Sequence, residues 1–134
     1  MSDIRIEVFS GGYDNEDAYN KVLGYISNKT YFGGYGFTFN SPLPVIEQFR
    51  LSETCSSHSK DSGGQKIWHF IITFTNSPKH SELLILADQT SLDFSAKYQI
   101  MYGLDTEKGN SHLHFGVNAF SFYPDCPSIP ALFQ

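Results

Sequence analysis

The stretch His112-Leu113-His114-Phe115-Gly116-Val117-Asn118 constrains this chain more than any other. Its odd positions, Leu113, Phe115, Val117 and then Ala119, are apolar, while its even positions are His112, His114, Gly116 and Asn118. Alternation with period two among β-branched and aromatic residues spells a β-strand with one face in a core. On the other face two imidazoles stand about 6.5–7 Å apart at Cα, within reach of one metal ion or one phosphate. Gly116 leaves an open spot beside them, as strand glycines do where a ligand approaches, and Asn118 adds an amide to the same row. The plain alternative is a pair of solvated histidines on a half-exposed strand, because a metal site ordinarily draws more than two ligands from its protein.

The rest of the composition narrows the setting. At 134 residues the chain is read as a single domain spanning 1–134, large enough to bury a real core. Its 12 Phe and 8 Tyr exclude disorder as the main state. A net charge of -5 argues against a broad basic footprint for duplex DNA, but leaves open a single strand held by stacking in a narrow groove. The only cysteines, Cys55 and Cys126, make neither a zinc motif nor a disulfide framework, and read as reduced thiols in a cytoplasmic protein. No basic segment leads into an apolar run at the start, and no window approaches the ~18 apolar residues of a membrane span. The expectation is a soluble, cytoplasmic protein that does not engage a membrane.

Taken in order, Asp3 to Phe9 alternate, with Ile4, Ile6 and Val8 on one face of a half-buried strand that Ser10-Gly11-Gly12 ends. Asp14 or Asn15 can cap a helix over about 16–28, with Ala18, Val22 and Ile26 in its buried stripe, Tyr19 and Leu23 beside them, and Tyr25 on or near it. Residues 31–40, Tyr31-Phe32-Gly33-Gly34-Tyr35-Gly36-Phe37-Thr38-Phe39-Asn40, combine rings with glycines that deny a helix. They read either as stacking platforms for bases, with Tyr31 and Tyr35 as candidate DNA contacts, or as a loop whose rings plug the edge of the core. Pro44 opens a second helix on Val45, Ile46, Phe49 and Leu51, ending near Thr54. Cys55 to Lys66 form a polar loop. Ile67 to Phe74 is the most apolar run and predicts a central strand, with His69, Ile71 and Thr73 on one face. Ser77-Pro78 leads into a helix over about 79–96 carrying Leu83, Leu84, Ala87 and Phe94, with a break conceivable at Asp88–Ser91. Tyr98 to Tyr102 make another strand, residues 103–111 a polar turn, and the histidine strand closes a hairpin. The tail, with Pro124, Pro127 and Pro130, reads as irregular. This order predicts an α+β fold: an antiparallel β-sheet with helices packed mainly on one face.

Ile67-Trp68-His69-Phe70-Ile71-Ile72-Thr73-Phe74, then a helix, then Tyr98 to Thr106 and Asn110 to Asn118, resemble the domain of the HUH mobilization relaxases, of the type called MobP. Tyr25-Ile26-Ser27-Asn28 looks like that family's first motif, and Gly33-Gly34-Tyr35-Gly36 followed by Ile46-Glu47-Gln48-Phe49 resembles relaxases of Gram-positive mobile elements. The resemblance runs from about residue 19 to 124. It implies a relaxase (HUH) palm-like fold and a DNA nickase and strand transferase of a mobile element. Tyr25 would be the nucleophile, and His112 and His114 would hold a divalent ion of the Mg, Mn or Zn kind. The partner it implies is single-stranded DNA at a transfer origin, alongside accessory mobilization proteins, with the chain acting as a monomer. A metal clamp would stabilise the charge building on the phosphate oxygens, and a covalent tyrosine would conserve the bond for rejoining.

Two departures stand out. The family's third metal histidine lies two residues before an Asp that Asp105 matches, and here that position is Gly103. His69 or Asp105, with Glu107 as a further candidate, is then expected to complete the set. Asn118 is expected to face the DNA. The chain also stops sooner after the histidine strand than family members do, as a domain truncated at its C-terminus would. The competing readings are a relaxase-fold module that binds single-stranded DNA or a protein partner with weakened or no catalysis, and a small globular protein whose histidines are incidental.

Overall fold

A computed structural model describes residues 4–9, 13–57, 64–75, 78–107 and 109–129. The predicted stop at Ser10-Gly11-Gly12, the middle of the 55–66 loop, Ser77 and Pro130 lie outside the described residues. The elements are β1 (Ile4–Phe9), α1 (Ala18–Ser27), β2 (Tyr31–Tyr35), α2 (Val45–Cys55), β3 (Ile67–Phe74), α3 (His80–Ser95), β4 (Ile100–Glu107) and β5 (Asn110–Asn118). The five strands form one sheet in the order β1-β3-β5-β4-β2, and every neighbouring pair is antiparallel. This is the α+β architecture expected from the order of elements. No helix of the described residues is long and apolar enough to cross a membrane.

The alternation of β5 divides the molecule. Leu113, Phe115 and Val117 face a core shared with Phe70, Ile72, Ile100 and Leu104 and covered by Leu83 and Ala87 of α3. At its centre the Phe70 and Phe115 rings stack at 4.7 Å, on residues that are direct partners across the β3–β5 ladder. The opposite face carries α1 and α2. There Val22, Leu23 and Ile26 of α1 and Phe49 of α2 close on Ile67 and Met101. Among the described residues, two of the three helices therefore share the histidine face.

Several local expectations differ from what forms. Residues 31–35, read either as stacking platforms or as a loop, are an edge strand paired with β4. The glycines that exclude a helix permit this pairing, because Gly34 lies so close to β4 that a Cβ there would stand 2.3 Å from the Ile100 carbonyl oxygen. The polar turn predicted over 103–111 is mostly strand, since β4 continues to Glu107, and Gly109 sits at the turn with φ 81°. Pairing with β5 overrides the polarity of Asp105 and Thr106. On β1, Ile4 and Ile6 are more than half exposed, because that strand is at the sheet's edge and only Val8 packs against the main core. Leu51 is also half exposed, and Ser52 takes the buried place on α2 instead. α3 runs unbroken through Asp88–Ser91. Asn15 receives the Asp17 N–H on its side chain, but neither it nor Asp14 is the cap residue of α1.

Candidate functional site

The site lies where the C-terminal half of α1 crosses β5. Buried Val22 and Ile26 hold the helix down, and Gly116 lets it approach: a Cβ there would meet Val22 Cγ1 at 3.0 Å and Ile26 Cδ1 at 3.1 Å. That packing places Tyr25 over the histidines. Its ring lies edge-on to His114 with centroids 5.1 Å apart, and 6.0 Å from His69. Tyr25 itself is 48% exposed, so one edge of its ring caps the histidines and the other meets solvent.

His69, which the sequence offered as a candidate third ligand, is the nearest imidazole to His114, with Nε2 3.4 Å from His114 Nδ1. The Tyr13 hydroxyl lies 3.3 Å from His69 Nδ1, and the Phe9 ring packs 5.0 Å from the His69 ring. Two proton orders satisfy this chain: Tyr13 O–H to His69 Nδ1 with His69 Nε2–H to His114 Nδ1, or the reverse, His114 Nδ1–H to His69 Nε2 with His69 Nδ1–H to the Tyr13 oxygen. Burial pushes both His69 and His114 down to about 4, with the nearby Lys29 charge adding to the effect, so both rings are neutral at neutral pH. His112 is only half buried, its Nδ1 lies 3.1 Å from Thr73 Oγ1, and its ring centroid is 6.3 Å from that of His114. An open cleft of about 330 Å³ beside these groups is lined by Phe9, Tyr13, Lys21, Tyr25, His69 and Ile71, with Val22 at its floor.

Asp105 is the cross-strand partner of His112, but its carboxylate is engaged by the Lys29 ammonium at 3.3 Å. The same ammonium sits 3.9 Å from the centroid of the Tyr25 ring, a cation–π arrangement. Gly103 is the partner of His114 on β4. A Cβ at Gly103 would stand 2.9 Å from the Ile26 carbonyl oxygen and 3.0 Å from Lys29 Cγ. The place where the relaxases that the sequence resembles carry a third histidine is thus filled by the end of α1 and the stem of Lys29. The side chain of Glu107 lies outside the described part of the chain.

The donors do not complete a three-imidazole set. His69 and His114 have nitrogens at a spacing that two ligands of one ion adopt when each bond is about 2.0–2.1 Å, but His112 stands apart on Thr73. Among the described residues no three His, Cys, Asp or Glu groups converge.

Three predicted DNA contacts are not brought to this site. Asn118 is fully buried. Its amide donates to the Phe49 carbonyl at 2.9 Å and to Gln99 Oε1 at 2.8 Å, and its oxygen accepts from the Phe120 N–H at 3.1 Å. The asparagine staples α2 to the sheet and cannot meet a ligand. Tyr31 and Tyr35 pair with Leu104 and Ile100, on the sheet face away from the histidines. Tyr31 packs against His80, and Tyr35 donates to Asp88 Oδ1 at 3.0 Å. Strand alternation sends Phe32 to the histidine face instead, where with Phe39 it edges an apolar groove. Sequence reasoning missed Lys29 and Tyr13. Lys29 had a visible signal, since it lies four residues after Tyr25 and so near the same helical row. Tyr13, in a non-repetitive segment, had none. Comparison with protein-family models, with curated proteins and with solved structures found no match.

Proposed function

We propose that the chain is a relaxase-like protein that cuts and transfers single-stranded DNA through Tyr25. The observation that carries this reading is the seating of Tyr25 on two buried, neutral imidazoles, 5.1 Å from His114 and 6.0 Å from His69. A tyrosine on the surface of a helix needs a base to lose its proton during attack, and a neutral imidazole is in the right state to take it. In the reaction the Tyr25 oxygen attacks phosphorus, the bond from phosphorus to the 3′ oxygen breaks, and the phosphate stays joined to the tyrosine. In the order in which His114 Nδ1–H donates to His69, His114 Nε2 keeps its lone pair and takes the phenolic proton, which the departing 3′ oxygen then regains. Rejoining is the reverse of the same step. The Tyr13–His69–His114 chain orients the imidazoles and disperses the acquired charge. This route needs no divalent ion, and the residues as placed fit one poorly: position 103 is closed to a third imidazole and the carboxylate beside His112 is held by Lys29.

The test is covalent capture. The protein is incubated with a library of single-stranded oligonucleotides, with and without manganese, and tyrosyl-DNA adducts are sought by denaturing gel and mass spectrometry. Adducts mapped to Tyr25 and absent from Tyr25→Phe support the reading; adducts retained in that variant reject it. A second reading, a relaxase-fold module that binds a strand without cutting it, draws support from Lys29, which occupies the place of a metal-binding side chain. Binding without any adduct favours it.

A further inference from the structure

His69 and His114 are neutral and bring no positive charge to the site, and the chain as a whole is acidic at -5. Yet two lysines flank Tyr25. Lys21 lies four residues before it, about 6 Å along the helix, and lines the cleft of about 330 Å³ that also holds His69. Lys29 follows the end of α1 and is only 13% exposed at its side chain. Its stem runs over Gly103, and its ammonium rests on the Tyr25 ring and on Asp105. A long, flexible side chain held this closely, at the cost of its rotamer freedom, marks a fixed charge. Surface lysines rarely behave so.

We propose that Lys29, with Lys21 on the other side of Tyr25, is the phosphate-binding group of this site, and that it holds the phosphodiesters of a single DNA strand without a metal ion. The inference rests on the reading of the site as one for single-stranded DNA, but not on cleavage. An ammonium has three donors. Asp105 takes one and keeps the group in place, which leaves donors for phosphate oxygens beside Tyr25. Asp105 is also the group that opposes an anion here, and it distinguishes the two possible occupants. For a cation held by His112 and His114 the carboxylate is a ligand, and its loss weakens binding. For a phosphate held by Lys29 the carboxylate is a competitor, and its loss leaves binding intact or tightens it.

The experiment is fluorescence anisotropy of a labelled single-stranded homothymidine oligonucleotide, in EDTA, across a salt series, with folding of each variant checked by circular dichroism. Wild type is expected to bind in EDTA. Lys29→Met should weaken binding about tenfold or more, while Lys29→Arg keeps most of it. Each lost phosphate contact should reduce the slope of log affinity against log salt by about 0.7. Lys21→Met removes an exposed side chain with no folding role and should lower the slope by a similar step. Asp105→Asn should bind at least as tightly as wild type, and Lys97→Met, at a surface remote from the site, should match wild type. The proposal is overturned if wild type binds only after manganese is added, if Lys29→Met (or Lys29→Gln, should the first not fold) binds as wild type does, if Lys21→Met leaves the slope unchanged, or if Asp105→Asn abolishes binding. Tyr25 adducts with an unaffected Lys29 variant would leave the nicking reading standing alone. Lysine-dependent binding with no adduct would leave the binding site standing without the cleavage.

Discussion

Gly103 lies directly beneath the carbonyl of Ile26: a Cβ on the glycine would stand 2.9 Å from that oxygen. The contact sets the height of α1 above β4, and so the height of Tyr25 above the histidines. The first prediction follows from it. Gly103→Ala must lift the helix end or bend the strand, and should cost about 1–3 kcal/mol, the usual range for overpacking. Urea denaturation measures it, and an unchanged midpoint would show that the helix end gives way freely. Gly103→His, which places there the residue carried by the relaxases that the sequence resembles, should be worse tolerated still, because the whole ring must find room where Ile26 and Lys29 sit.

Asn118 supplies the second. Its amide satisfies Phe49, Gln99 and Phe120 from a fully buried position. Asn118→Ala should destabilise by about 1–3 kcal/mol for each partner left unpaired, less where the partners bond to each other. Oligonucleotide affinity per folded molecule should not change. A variant of native stability with lost affinity would return this residue to the binding surface.

The third concerns acid. His69 and His114 have folded values near 4, below the 6.5 of an unfolded histidine. Between those limits the unfolded chain binds more protons than the folded one, so stability rises with pH in that window. It should be level above about pH 6.5 and fall as pH drops from there towards 4, by at most about 1.4 kcal/mol per pH unit for each histidine. Because the two rings touch, the losses should be less than additive. His69→Gln should flatten the profile of urea midpoints. An unchanged slope would mean the histidines are solvated.

The fourth separates the two faces of the sheet. Tyr31→Ala and Tyr35→Ala should leave binding of single-stranded DNA as it is, since both side chains lie on the face of α3. Phe32→Ala, on the histidine face, should weaken it by about 1–3 kcal/mol if a base stacks there. Equal losses from Tyr31 and Phe32 would place the strand across the edge of the sheet instead of along one face.

Much of this protein was already determined by sequence alone. The alternation over 112–119 settles which residues of β5 enter the core and which stand beside α1, because side chains in a strand must alternate. The apolar run at 67–74 and the stripe Ala18-Val22-Ile26 likewise dictate a buried strand and the inner face of α1, since burial of those side chains is the main favourable term in folding. Periodicity along one segment carries no information about which segment lies beside it. That is why residues 31–35 looked like stacking platforms or a loop until β4 supplied their partners, and why Asn118, polar and in line with the histidines, looked like a ligand until α2 closed over it. The sequence grouped Tyr25 with the histidines, but the distances around Tyr25 were decided by tertiary structure. His69 comes from another strand, Tyr13 from an irregular segment, and Lys29 is folded inward because Gly103, far off in sequence, leaves room for its stem. Distances of this kind depend on the register of the sheet and the height of a helix, which only the packing of the whole chain sets.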